Sequence, residues 1–218
     1  MQRSLVTSSK KTLSTSQTSS SDESKNTTTK MVDPFEKRLN HIRIYILNNN
    51  KKQRHIIPRE PTLVFEKFLY LGGLKSLQDK DRLDHLNITH ILSVVWIRPR
   101  IPIRSHIKHM FIKADDTISF DMSPHFEQAC QFIDEARQLN SCVLVHCACG
   151  VSRSTTMCCA YLMKYHSMSV EQAMIHLRSR RHIVQPNTAF LRQLIHYNEQ
   201  IECDKTTMNT VLEQSENV

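Results

Sequence analysis

No stretch of this 218-residue chain approaches the roughly 18 consecutive apolar residues of a membrane-spanning helix, so no membrane span is expected. Met1–Ser21 lacks the apolar segment of a secretory signal. It is rich in Ser and Thr, with Arg3, Lys10 and Lys11 and no acid, a composition that leaves a mitochondrial presequence as the lesser alternative. The terminal Glu216-Asn217-Val218 carries no prenylation box, and Gln2 excludes myristoylation. No internal repeat is present. The 7 cysteines are an odd number without disulfide-framework spacing, which predicts reduced thiols and a cytoplasmic protein. The 12 histidines contain no His-x-x-x-His pair beside an acid, so neither a metal nor another cofactor is expected.

Basic charge is missing from most of the chain. Residues 1–59 hold 12 Lys and Arg against 4 Asp and Glu, whereas residues 60–218 hold 17 of each. The high isoelectric point therefore belongs to the N-terminal extension, and the remainder is not a nucleic-acid-binding module. Residues 4–30 form a Ser/Thr/Lys tract that predicts disorder. Phe35–Leu47 reads as a short helix with Leu39, Ile42, Ile46 and Leu47 on one face. Lys51-Lys52-Gln53-Arg54 before Ile56-Ile57 reads first as a solvated linker. Its alternatives are a weak nuclear signal or a docking peptide for an acidic groove. The expected division is a basic extension over 1–60, a catalytic domain over 61–203 and a flexible tail over 204–218.

What the chain does have is concentrated in Val145-His146-Cys147-Ala148-Cys149-Gly150-Val151-Ser152-Arg153-Ser154. Val143-Leu144-Val145 reads as a buried strand and Thr155–Tyr165 as a helix. The loop between them opens onto a helix N-terminus, where unpaired N–H groups and the dipole attract an anion. Five residues separate Cys147 from Arg153, enough to wrap a phosphate-sized dianion between sulfur and guanidinium. The same positive potential favours the thiolate, so Cys147 is expected to be an activated nucleophile.

The surrounding pattern predicts alternating strands and helices. Phe68–Leu71 reads as a strand with a Gly72-Gly73 turn, Gln78–Leu86 as a short helix, and Ile88–Val95 and Ile107–Ala114 as further strands. Ser123 with Pro124 is expected to open an amphipathic helix. Ser169-Val170-Glu171-Gln172 is a capping box, and Pro186-Asn187 breaks the chain before a last helix carrying Phe190, Leu191, Leu194 and Ile195. The fold expected is α/β: a central mixed sheet of about five strands flanked by helices.

His146, Cys147, Gly150, Arg153 and Ser154 match the signature His-Cys-x-x-Gly-x-x-Arg-Ser/Thr, and the chain resembles the cysteine-dependent protein tyrosine phosphatases. Lys113-Ala114-Asp115-Asp116-Thr117, ending in Met122-Ser123, resembles the general-acid segment of the small dual-specificity phosphatases. The likeness extends over roughly residues 62–203 and is greatest to the compact atypical members, since no rhodanese-like domain fits in 60 residues. It implies that Cys147 attacks phosphorus, that Arg153 and the backbone of Ala148, Cys149, Gly150, Val151 and Ser152 hold the phosphoryl oxygens, and that Asp116 protonates the leaving group. Asp115 is the rival acid. Ser154 eases departure of the sulfur, and His146 orients the loop. The implied substrates are phosphoproteins, with a MAP kinase activation loop as the family-level expectation. Cys149, where Ala or Glu is common, and Ala189, where Gly is common, depart from the family pattern.

Three rival functions are weighed against this. A phosphoinositide phosphatase of the same superfamily usually has Lys in the loop, and Ala148, Cys149, Val151 and Ser152 are uncharged. An RNA 5′-phosphatase needs more positive charge around the pocket. A phospho-binding pseudophosphatase would lack the Cys, Arg or Asp, and all three are present.

Overall fold

The computed structural model describes residues 33–50, 56–100 and 106–215. The Ser/Thr tract and the Lys51–Arg54 cluster lie outside them. Eight-residue β3 (Ile88–Val95) and five-residue β5 (Cys142–His146) are almost wholly buried, as central parallel strands covered on both faces should be. With β1 (Thr62–Phe65), β2 (Leu69–Gly72) and β4 (Lys108–Lys113) they form one sheet in the order β1-β2-β5-β3-β4. β1 runs antiparallel to β2; every other pairing is parallel. The mixed five-stranded sheet flanked by helices is the expected architecture. The edge strand β1 is an addition, because four residues with Leu63 half exposed give little periodic signal.

Among the described residues, six α-helices flank the sheet: α1 (Pro34–Asn50), α2 (Lys80–His85), α3 (Phe126–Gln138), α4 (Arg153–His166), α5 (Val170–Arg180) and α6 (Thr188–Ser215). The central one is α4, buried from Arg153 through Met163 and packed across β2, β5 and β3, with α3, α5 and α6 around it. Thr155 and Thr156 are tolerated inside it because their hydroxyls donate back to the carbonyls of Val151 and Ser152, at 2.8 and 3.0 Å. The capping box at Ser169 forms as expected.

Three expectations need correction. Ser123 does not cap a helix: Ser123–His125 is a separate short 3-10 turn, and α3 begins at Phe126. The extension expected over 1–60 contains a helix that belongs to the folded body. Asp33 caps it through a 3.0 Å bond from the Phe35 N–H, and Pro34 takes the first helical position. Leu39, Ile42 and Ile46 are buried, while Leu47, expected on the same face, is 51% exposed. Arg38 pairs with Glu171 of α5 and Glu36 with Arg192 of α6. Lastly, the chain does not fray at residue 204; α6 continues unbroken to Ser215, since nothing in this stretch is a helix breaker.

Candidate active site

All parallel strands point their C-terminal ends the same way, and the loop after β5 opens there. The carbonyls of that loop are each held from outside. The Leu74 N–H donates to Ala148 O at 3.0 Å, and the Gln185 N–H to Val151 O at 2.8 Å. Arg181 holds the two between them, with Nη2 on Cys149 O at 3.2 Å and Nε on Gly150 O at 3.0 Å. Its Nη1 reaches Thr62 Oγ1 at 2.8 Å. With the carbonyls turned outward, N–H groups of the loop turn inward.

Glycine is scarce, and all 3 residues of that type lie at this loop. Gly150 has φ +69°, and a Cβ there would come within 2.5 Å of the Gly72 carbonyl oxygen. A Cβ on Gly73 would meet the Ala148 carbonyl at 3.0 Å. The turn after β2 and the loop after β5 therefore approach backbone to backbone.

Cys147 is buried at the floor. Its sulfur accepts from the Gly150 N–H at 3.3 Å and from the Ser154 hydroxyl at 3.2 Å. Burial by itself would push the thiol up. The hydrogen bonds from Ser154 and Val151 and the charge of Arg153 outweigh it, and the pKa falls below the ordinary thiol value. Cys130, Cys158 and Cys159, where burial dominates, shift upward instead. Only the loop cysteine is thus electrostatically prepared to be a thiolate among these buried thiols.

Arg153 starts α4, donates from Nη1 to Ala114 O at 3.0 Å, and sets Nε 3.6 Å from Asp116 Oδ2. That Nε is buried and makes no hydrogen bond, so it remains a donor for an anion. Asp116 Oδ1 accepts from Ser152 Oγ at 2.7 Å and from Asn187 Nδ2 at 3.0 Å. Asp115 points elsewhere and accepts from the Asp116 N–H at 2.8 Å. The segment after β4 is fastened to α6 again at its far end, where Gln193 bonds the Phe120 carbonyl and the Met122 N–H.

Behind the loop, His146 Nδ1 lies 3.2 Å from the Cys147 carbonyl. A carbonyl can only accept, so Nδ1 carries the proton and Nε2 is free to accept from Ser93 Oγ at 2.5 Å. Ser93 has then used its proton, and it accepts in turn from His109 Nε2 at 2.8 Å. Burial drives His146 down to about 4, so the imidazole is neutral near neutral pH.

The structure brings every expected residue to one place: Cys147, Arg153, Ser154 and Asp116, the loop residues Ala148–Ser152, and His146 behind them. Sequence reasoning missed Arg181, Asn187 and Ser93 as members. Asn187 read only as a chain break, yet it also caps α6 by accepting from the Phe190 N–H at 3.0 Å.

Residues 69–200 match the family model described as the dual specificity phosphatase catalytic domain. Dual specificity protein phosphatase 1 of Arabidopsis thaliana is 39% identical over 135 residues, covering 62% of this chain and 67% of that protein. Dual specificity protein phosphatase 5 of Homo sapiens is 38% identical over 134 residues, but the match spans only 35% of its length. Among solved structures, human DUSP28 superposes with a TM-score of 0.63 at 26% identity, over 67% of this chain and 97% of that one. DUSP15 gives 0.60 at 29% identity, over 66% and 96%. The family match thus covers β2 through β5 and the loop just described, with α1 and β1 before it; the chain belongs to the dual-specificity phosphatases, phosphoric monoester hydrolases.

Proposed function

We propose that this chain is a metal-independent protein phosphatase that hydrolyses phosphotyrosine and phosphoserine or phosphothreonine through a cysteinyl-phosphate intermediate. The observation that carries the proposal is the convergence of Ser154 Oγ and the Gly150 N–H on the buried Cys147 sulfur, with Arg153 between that sulfur's loop and Asp116. In the first step a Cys147 S–P bond forms as the P–O bond of the ester breaks, and protonated Asp116 gives its proton to the departing oxygen. In the second step water adds to phosphorus as the S–P bond breaks, and Asp116 takes the water proton. Arg153 and the inward N–H groups of residues 148–153 hold the equatorial oxygens, supplying the positive field that a metal gives in other phosphoryl-transfer enzymes. Ser154 stabilises the sulfur as it leaves. His146 orients the loop without titrating.

MAP kinase-type phosphoproteins are the substrates that the family favours. The free state of all 7 cysteines suits a reducing compartment, cytoplasm or nucleus. The test is release of phosphate from p-nitrophenyl phosphate with EDTA present, followed by phosphotyrosine and phosphothreonine peptides, an inositol phosphate and a 5′-triphosphorylated RNA. Turnover in EDTA with preference for the peptides is expected. Loss of turnover in EDTA overturns the metal-free mechanism; preference for the inositol phosphate or RNA overturns the protein substrate.

A further inference from the structure

Beside the catalytic cleft lies a groove of about 250 Å³ that no step of the mechanism uses. Ile46 of α1 and Leu191 of α6, both buried, form its floor. Leu47 on one rim and Ile118 on the other are 51% and 79% exposed. Arg43 stands at its edge and makes no ion pair among the described residues. Two large aliphatic side chains facing water across an apolar floor cost free energy that only a covering group recovers.

The groove adjoins the active site through Asn187. Asn187 lines it and also donates to Asp116 Oδ1 at 3.0 Å. Ile118 stands two residues beyond Asp116 on the same loop. A polypeptide with its phosphorylated side chain over Cys147 that runs across this rim lays its flanking residues over the groove. The other wall is α1, Pro34–Asn50, which precedes the family match at residues 69–200. The catalytic chemistry lies within the family match, and this wall lies before it.

We propose that the groove is a substrate subsite that takes an apolar side chain flanking the phosphorylated residue, with Arg43 attracting an acidic group beyond it. This rests on the protein-phosphatase reading above, and it makes α1 a specificity element. Leu47 and Arg43 act on substrate selection; neither touches the phosphoryl group.

The test uses the full chain and short alanine-based phosphotyrosine peptides in which one leucine is walked along the flanks. In the wild type, kcat/KM rises about tenfold, equivalent to about 1.4 kcal/mol, at one flanking position. The rise appears in KM. In Leu47→Ser that preference disappears, whereas Ile44→Ser, exposed on the same helix but outside the groove, retains it. Each ratio is taken against turnover of p-nitrophenyl phosphate by the same variant, so partial unfolding cancels. Substituting Glu for Ala next beyond the preferred leucine adds a gain that Arg43→Ala removes. A wild type that hydrolyses all the peptides without a leucine preference overturns the subsite, and so does a preference that survives Leu47→Ser. A groove already filled by another part of the chain would give the first of these results. A wild type that hydrolyses the small ester but none of the peptides overturns the protein-phosphatase reading instead.

Discussion

Arg181 Nε donates to the carbonyl of Gly150 at 3.0 Å, across 31 residues of sequence, from a side chain that is itself buried. With Nη2 on the Cys149 carbonyl, the guanidinium holds the outer face of the phosphate loop. Burial lowers its pKa, with the thiols of Cys147 and Cys149 opposing, but a guanidinium this basic stays charged. Its fork of donors is what one lysine cannot reproduce.

Arg181→Lys therefore leaves at least one buried carbonyl without a donor. The expected loss is about 1–3 kcal/mol of stability, or a Tm lower by roughly 2–4 °C per kcal/mol. Turnover of p-nitrophenyl phosphate should fall at temperatures where the variant is still folded, because the inward N–H groups lose their alignment. Calorimetry and kinetics on the same preparation check both. Unchanged kcat would mean that the loop does not need this support.

Asp116 and Asp115 separate by leaving group. Asp116 faces Arg153 and Ser152, whereas Asp115 bonds its own loop. Asp116→Asn should cut turnover of alkyl phosphates by roughly 10²–10⁴-fold and that of aryl phosphates with good leaving groups far less. Asp115→Asn should do little to either. A larger, leaving-group-dependent loss at Asp115 would reverse the assignment.

Ser154→Ala should move the pH profile. Burial raises the Cys147 thiol, and the Ser154 hydroxyl is the largest of the contributions that bring it down. The reactive thiolate exists above its pKa. Removing the hydroxyl raises that pKa, so the acidic limb of kcat/KM shifts to higher pH and the rate at low pH falls. A profile that stays in place would show that Ser154 does not tune the sulfur.

Much of this site is legible in the sequence. Cys147 and Arg153 stand at a fixed spacing between an apolar strand and a helix, and such local geometry follows from sequence order. Asp116 could be placed from its position after β4 together with the family likeness. Arg181 could not, because its partners are backbone carbonyls distant in sequence and carbonyls leave no residue signature. Ser93 is hidden for a different reason: its side-chain partners, His109 and His146, lie on neighbouring strands and meet it only in the fold. The length of α6 was underestimated because its polar end carries no amphipathic pattern, although it contains no breaker.

A low-pKa thiolate is also prone to oxidation. Cys142 and Cys158 are both free, buried thiols that compete as resolving partners for oxidised Cys147. Cys142 begins β5, five residues before Cys147, and at roughly 3.3 Å per residue it lies at the far end of the strand. Cys158 is one helical turn beyond Ser154, and its thiol is raised first by burial and also by the Cys147 charge among its neighbours. Peroxide should convert Cys147 to the sulfenic acid, and attack by the Cys158 thiol would form a disulfide with loss of water. Dithiothreitol should restore activity in the wild type and in Cys149→Ala, but much less in Cys158→Ala. Peptide mapping that finds Cys147 joined to Cys149 would contradict this.

The central claim is that the Cys147 sulfur carries the phosphoryl group. Acid quenching during turnover of p-nitrophenyl phosphate, followed by mass spectrometry of the peptides, tests it directly. One phosphoryl group on the peptide containing Cys147 is expected, absent from Cys147→Ser, which should fold normally and turn over no substrate. A phosphoryl group on any other residue, or Cys147→Ser activity within about tenfold of wild type, equivalent to about 1.4 kcal/mol of barrier, would contradict it.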